Sequence, residues 1–322
     1  MSPLPGEPPG PRRPLAMSLF KLARLHQWTK GVFVLVGPLY GLTELPDKAA
    51  ALAAGSVAFL AFGLASSACY VVNDLLDAPQ DRMHPRKRNR PIARGDITPA
   101  QAWAFASVLV VAAAACLLAL DATVVPAVAL LLGLYVANVF AYSYRIKHIV
   151  IADVMSLSLG FVIRMCAGCA AVAIAPTTWL LNCTLFLAMF LAFGKRLGER
   201  RTMGADAAAA RGVQAAYTDE LLRMAVVVTA VATLITYAGY VQFRADEHTH
   251  VVPPFRAGFN LLWLSIIPAT YALLRAIVLL ERGRYDDPTE LAARDRPMKV
   301  AVLCFVTVTI GVLSWGHWAP GA

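Results

Sequence analysis

The chain has 322 residues, 58% of them hydrophobic and only 15% charged, with a formal net charge of +9. That composition excludes an ordinary soluble domain, and apolar runs of about 20 residues, the length that crosses a hydrocarbon core, recur along it. The positive excess lies beside these runs, so anionic headgroups or anionic substrates at a membrane explain it better than nucleic acid does.

In chain order, residues 1–17, "MSPLPGEPPGPRRPLAM", are Pro-rich and polar without an apolar h-region, which predicts a disordered tail rather than a signal peptide. Residues 18–30, "SLFKLARLHQWTK", mix apolar and basic positions around a Trp and predict a helix lying in the membrane interface. Nine spans are then expected, at 31–45, 50–72, 100–120, 123–142, 149–171, 177–194, 220–242, 257–280 and 298–317. The first is short and holds Gly37, Pro38 and Gly41. No stretch between the spans is long enough for a soluble domain, so residues 18–322 should form one all-α polytopic membrane domain. With the N-terminus cytoplasmic, all 29 Lys and Arg except Lys48, Arg164, Arg244 and Arg256 fall in the tail, in the even-numbered loops or at the span ends bordering them. This is the positive-inside pattern. The long charged connections 73–98, 195–219 and 281–299 share that face, where function is therefore expected.

The connection after the second span carries "NDLLDAPQD", in which Asn73 stands four residues before Asp77, and Asp74, Asp77 and Asp81 follow at three- and four-residue spacing. On a continuous helix all four share a face. Three carboxylates that close repel one another unless a cation sits among them, and an oxygen-only set suits Mg²⁺, which commonly shares its sphere with substrate phosphates. A solvated helix end is the bland alternative, but acids emerging directly from a span are costly and usually functional. Pro79 is expected to kink or end the helix before Asp81. His84, Arg86, Lys87, Arg88, Arg90 and Arg94 follow, shaped into a loop by Pro85 and Pro91. Arg86 and Arg94 suit topology and lipid attraction, whereas Lys87, Arg88 and Arg90 together suit a phosphate clamp.

Further charges stand against apolar helices: Gln27 and Lys30 before the first span, Lys147 and Asp153 before and within the fifth, Arg164 eleven residues after Asp153, and Lys195, Arg196, Glu199 and Arg200 ending the sixth. A charge within a span is functional by default, with a structural ion pair as the standing alternative. Lys195 and Glu199 also fit an ordinary surface pair. The tract "ELAARDR" reads as an interfacial loop. Cys166 and Cys169 form a C-x-x-C inside a span, with no second pair and no nearby His, and are assigned to small-residue helix packing. His248 and His250 lie on the other side, and no Ser-His-Asp or Cys-His arrangement supports nucleophilic catalysis.

The aspartate motif after the second span, the nine spans and the long loops after spans 2 and 6 resemble the UbiA superfamily of intramembrane prenyltransferases. That resemblance implies a UbiA-type helical fold in the plasma membrane, with an active site facing the cytoplasm. The family's second acidic motif is missing: "GKRLGERR" stands in its place, with Asp206 and Asp219 isolated. Seven blocks, "RLHQWTKG", "SACYVVNDLLDAPQDRMHPRKRNRPIARG", "IKHIVIADV", "FVIRMCAG", "GKRLGERR", "AAYTDELL" and "LAARDR", are similar to the branch that transfers phosphoribose to decaprenyl phosphate for cell-wall arabinan. Gly31, where that branch has Asn, and Asp153, where it has Glu, are small departures. The resemblance implies phosphoribosyl pyrophosphate (PRPP) as donor, a polyprenyl phosphate as acceptor and a homotrimer as a plausible assembly. It also implies Mg²⁺ on Asp74, Asp77 and Asp81 with Asn73 orienting them. Lys87, Arg88 and Arg90 would meet diphosphate or 5-phosphate oxygens, and Lys195 and Arg196, beside Glu199, the second phosphate. Gln27, Lys30, Lys147 and Arg164 would supply the remaining polar contacts. The rival readings are an aromatic prenyltransferase using a polyprenyl diphosphate and a non-catalytic lipid-phosphate carrier.

Overall fold

The computed structural model describes residues 13–41, 45–83, 87–203, 216–247, 251–252, 259–283 and 294–315. The expectations for residues 1–12, His84, Arg86, Asp206, His248, His250, Arg256 and Glu290 fall outside them.

A short helix, α1 (Leu15–Ala23), leads into a 3-10 turn (Leu25–Gly31) and α2 (Val32–Gly41). There follow α3 (Lys48–Leu76), α4 (Ala78–Met83), a 3-10 turn (Lys87–Asn89), α5 (Pro91–Arg94), α6 (Pro99–Leu117), α7 (Val125–Tyr144), a 3-10 turn (Ile146–His148), α8 (Ala152–Ala171) and α9 (Thr178–Met203). The last elements are α10 (Asp219–Glu247), a 3-10 turn (Leu261–Ser265), α11 (Ile266–Glu281) and α12 (Arg296–Trp315). A two-residue antiparallel pair, Val251–Val252 with Phe259–Asn260, is the sheet content of the described residues. Caps fix the ends of the long helices. The Asp47 carboxylate accepts from Ala50 N at 2.9 Å to start α3, and Thr98 with Gln101 closes a capping box ahead of Pro99 to start α6.

Eight helices among the described residues are long and apolar enough to cross a membrane, the first being α3 and the last α12. The chain is thus a multi-pass, all-helical membrane protein. Residues 31–45, expected to be a span, differ: α2 holds 10 residues, about 15 Å at 1.5 Å per residue, half of a hydrocarbon core. The interfacial segment also departs from one continuous helix. Arg24 adopts a left-handed backbone, φ 50°, that breaks it into α1 and a 3-10 turn. The turn is held to α3 by Trp28, whose Nε1 donates to Ser67 Oγ at 3.0 Å, while Ser67 Oγ donates to the Ala23 carbonyl at 2.7 Å.

α2 stays inside the bundle because small residues let it lie on α8. A Cβ built at Gly168 would stand 1.7 Å from the Val34 carbonyl oxygen, and one at Gly37 would stand 2.3 Å from Cys169 Sγ. Cys169 therefore serves the helix packing expected of the C-x-x-C. Since a backbone carbonyl cannot yield as a side chain can, Gly168→Ala should cost at least about 3 kcal/mol, the upper end for overpacking. Gly311→Ala, where the new Cβ meets nothing within 4 Å, should be neutral or slightly stabilising. Thermal unfolding in one detergent checks the pair, and equal melting points would refute the close-approach argument.

Around this seam the core divides by helix group. Phe62, Tyr135, Ile163 and Ala167 join α3, α7 and α8; Phe190, Leu222 and Leu279 join α9, α10 and α11; Leu22, Val71, Ile92 and Ala102 seat α1 and α5 against α3 and α6. The third group matters most for function, because it positions the loop that follows the aspartates.

Candidate active site

The aspartate helix does not run unbroken. α3 ends at Leu76, Asp77 takes the cap position with φ −82° and ψ −7°, and α4 restarts at Ala78. Pro79 causes this: it has no N–H to continue the ladder, yet is tolerated in the first turn of a new helix. Asp77 keeps a helical backbone, its N–H bonding the Asn73 carbonyl and its own carbonyl accepting from Asp81 N, so Asp74 and Asp81 stay two turns apart on one side, yet the four polar side chains do not all meet. Asp74 and Asp81 are buried and converge, Asp77 is half-buried, and Asn73 turns to α7, donating from Nδ2 to Ser143 Oγ at 3.2 Å.

A guanidinium nitrogen sits where the two buried carboxylates meet. Arg90 Nη1 lies 2.9 Å from Asp74 Oδ1 and 2.8 Å from Asp81 Oδ2, and Arg24 Nη2 lies 2.6 Å from the same Asp74 oxygen. Arg90 reaches this point from the extended residue that caps α5, just after the Lys87–Asn89 turn. No three His, Cys, Asp or Glu side chains among the described residues gather closely enough to hold a metal ion. Two carboxylates aimed at one cationic position nevertheless fit a divalent ion that takes its remaining ligands from substrate phosphates and water. Of the expected set, Asp74 and Asp81 converge in this structure, and Asp77 takes the cap position between α3 and α4. Lys87 is exposed in its turn and Arg88 is half-buried.

Asn73 lines a cavity of about 180 Å³ also bounded by Lys30, Ser66, Tyr135, Asn138 and Arg164, with no carboxylate among its described lining residues. Arg164 is 7% exposed; its Nη2 donates to Tyr135 Oη at 2.6 Å and to Ser66 Oγ at 3.4 Å, and its Nε has no partner. Gln27, in the turn before Lys30, and Lys147, between α7 and α8, are half-buried.

The tract "GKRLGERR" is largely taken up by ion pairs. Arg196, 2% exposed at its side chain, donates to the fully buried Asp153 from Nε at 3.2 Å and from Nη2 at 3.0 Å, and reaches Glu199 at 3.3 Å. Tyr217 Oη donates to the other Asp153 oxygen at 2.5 Å and accepts from Ile151 N at 2.7 Å. Burial pushes the Tyr217 hydroxyl above the usual phenol range and the bond to Asp153 adds to the rise, so it stays a donor. Arg200 binds Asp219 at 2.7 Å and Arg201 binds Glu281 at 3.2 Å. In this structure the guanidinium of Arg196 is held by Asp153 of α8 and by Glu199, and it reaches Tyr142, a residue of the cavity wall, at 3.4 Å. Lys195 is half-buried one position earlier. In "LAARDR", Asp295 accepts from Arg275 Nη2 at 2.9 Å and from Met298 N at 3.0 Å, which starts α12.

Arg24, Ser66, Tyr135 and Tyr217 were not singled out from the sequence. Arg24 had a signal, a cation inside "RLHQWTKG", but its target lies fifty residues away.

A bundle of apolar spans with convergent carboxylates and cations at one end, beside a polar cavity, defines a multi-pass membrane protein with a site embedded among its helices. The chain belongs to the UbiA prenyltransferase family, whose sequence pattern matches residues 31–303. It is 33% identical, over 94% of its own length and 94% of the relative's, to the decaprenyl-phosphate phosphoribosyltransferase of Mycolicibacterium smegmatis. It is 31% identical, over 92% of its length and 86% of the relative's, to the protein of that name from Corynebacterium glutamicum. The solved UbiA homolog of Archaeoglobus fulgidus bound to GPP and Mg²⁺ shares the fold at a TM-score of 0.64 and 16% identity, covering 92% of this chain and 99% of that one.

Proposed function

We propose that the protein transfers 5-phosphoribose from PRPP to a polyprenyl phosphate, decaprenyl phosphate being the reference acceptor, with release of diphosphate and with dependence on Mg²⁺. The observation that carries the reading is the meeting of Asp74 and Asp81 on one cationic position, next to Asn73, which lines a cavity holding Lys30 and Arg164 and no acid among its described residues. The named activity of relatives along nearly the whole chain supports it. The product is the lipid-linked ribose of cell-wall arabinan synthesis. The aspartate end faces the cytoplasm of the inner membrane, following the positive-inside distribution.

Asp74 and Asp81, with Asp77 and Asn73 beside them, would hold a divalent ion against the donor's diphosphate. When bound, that ion supplies neutralisation of the charge left on the departing diphosphate. Arg90 and Arg24 exchange carboxylate for phosphate as the donor arrives, and Lys87 and Arg88 border the same entrance. Lys195 serves the second phosphate, with Gln27 and Lys147 lending polar contacts nearby. A phosphate oxygen of the acceptor forms the bond to ribosyl C1 while the bond from C1 to the diphosphate oxygen breaks, its electron pair leaving with diphosphate. The acceptor is already ionised at neutral pH, so no side chain must remove a proton. Arg196 acts through Asp153 as a positioning residue. The spans exclude water, which would otherwise hydrolyse the donor.

The test is direct. Purified protein, Mg²⁺, decaprenyl phosphate and PRPP should give phosphoribosylated lipid by mass spectrometry, lost on chelation. A parallel reaction holds decaprenyl diphosphate and 4-hydroxybenzoate; product there alone would assign the protein to aromatic prenyl transfer and sink this reading.

A further inference from the structure

Arg164 differs from the other buried cation of the bundle. Arg196 is matched by Asp153 and Glu199, whereas Arg164, also buried, meets no carboxylate among the described residues: it has hydroxyls, the Tyr135 ring 4.3 Å from its guanidinium carbon and the Phe161 ring at 5.9 Å, and it keeps an unpartnered Nε. A guanidinium without an acid inside a span is costly unless an anion completes it. The cavity wall adds a second cation, Lys30, with the hydroxyls and amides of Ser66, Tyr70, Asn73 and Asn138. Its volume of about 180 Å³ is ample for a phosphomonoester head. Two cations match such a group, which carries roughly −1.5 to −2 near pH 7.

On the outer side of the same wall runs an apolar groove of about 670 Å³ between α3, α6 and α7, bordered by Ala68, Ala106, Val110, Leu132, Gly133 and Val136. The wall is the seam of α3 with α7. It is pinned by Ser66 and Tyr135 at 3.0 Å on one side and by Asn73 and Ser143 at 3.2 Å on the other. Between the two pins, Cys69 borders both the cavity and the groove. A ligand with an anionic head and a long apolar chain matches this succession: a dianion pocket, a small-residue wall, and a groove open toward lipid.

We infer that the Arg164–Lys30 cavity binds the phosphate head of the polyprenyl-phosphate acceptor and that its chain crosses the α3–α7 seam at Cys69 into the α3–α6–α7 groove. This rests on the proposed acceptor and puts it on the far side of Asn73 from the aspartates, so that acceptor oxygen and leaving diphosphate approach ribosyl C1 from different directions.

Binding without turnover tests it. Full-length protein in nanodiscs, free of PRPP and Mg²⁺, is titrated by native mass spectrometry with decaprenyl phosphate and with dimethylallyl phosphate, which has the head but one isoprene unit. PRPP with Mg²⁺ is titrated separately. Arg164→Gln should weaken both lipid phosphates at least about tenfold, as expected for losing charge-assisted hydrogen bonds, with PRPP affinity unchanged. Arg164→Lys should restore part of the loss and stands in should the glutamine variant not fold. Gly133→Trp, at a position where an added Cβ meets nothing within 4 Å, should weaken decaprenyl phosphate at least about tenfold and leave dimethylallyl phosphate unchanged. Loss of PRPP binding in Arg164→Gln with lipid phosphates intact would make the cavity a donor site and overturn the inference. Unchanged binding of every ligand there, or unchanged decaprenyl phosphate binding in Gly133→Trp, would overturn it too. Wild-type protein that binds decaprenyl phosphate but makes no product refutes the proposed reaction and not this site; wild-type protein that binds no lipid phosphate refutes both.

Discussion

Asp74→Asn should lower phosphoribosyl transfer by more than about 100-fold while leaving detergent elution and melting temperature close to wild type. The asymmetry follows from the contacts. Asn keeps the shape of the side chain and an oxygen that accepts from Arg24 and Arg90, which hold Asp74 at 2.6 and 2.9 Å, so the local structure persists. What disappears is the negative charge that would grip a divalent ion, and even residues one step removed from a metal cost about 10–100-fold when changed. Asp81→Asn should behave alike, since the same Nη1 of Arg90 reaches it at 2.8 Å. Arg90→Ala separates the two roles of that guanidinium. Standing between the carboxylates, it competes with any divalent ion for them; on the donor, it contacts phosphate. Its removal should therefore lower the Mg²⁺ concentration for half-maximal rate and at the same time lower the maximal rate. A raised Mg²⁺ requirement would mean that Arg90 supports the metal position, and the account of exchange on donor binding would fail.

The spans were legible because crossing a membrane leaves so coarse a mark: apolar runs locate α3 and α6–α12 to within a few residues at most ends. The run at 31–45 carried the same mark and misled, because apolarity reports the medium and not the length of regular helix. The 3-10 turn at Leu25–Gly31 depends on Arg24 turning left-handed and on Trp28 meeting Ser67, neither visible locally. The aspartates were found by spacing, and seven-residue spacing is what brings Asp74 and Asp81 together two turns apart; which of the three carboxylates an arginine would join depends on Arg24 and Arg90, whose positions no local pattern gives. The sequence shows the cations of "GKRLGERR" but not the acids they meet, which come from far away, Asp153 from α8, Asp219 from α10 and Glu281 from α11. Charge composition reads the same for a ligand site and for an ion-pair seam. Only the partner's position tells them apart, which is why Arg164 and Arg196, alike in sequence, divide in the structure.

That division predicts a large effect on stability rather than on binding. Asp153→Ala should destabilise the protein by about 3–5 kcal/mol, because it leaves the Arg196 guanidinium buried with only Glu199 at 3.3 Å and Tyr142 at 3.4 Å. Tyr217→Phe should cost about 1–3 kcal/mol, since it removes a donor to buried Asp153 and the acceptor of Ile151 N. That acceptor matters because Ile151, a β-branched residue at φ 68°, holds a backbone geometry it would otherwise leave. Asp153→Leu with Arg196→Met should recover most of the loss, as replacing a fully buried pair by apolar side chains commonly does. Denaturation in detergent, analysed as a double-mutant cycle, measures the coupling. The recovered double variant then carries the functional question: with α8 and α9 rejoined by packing, it should bind PRPP as the wild type does. Binding lost in a protein that melts normally would return Arg196 to the phosphate, and the seam between α8, α9 and Tyr217 would become part of the donor site instead of its frame.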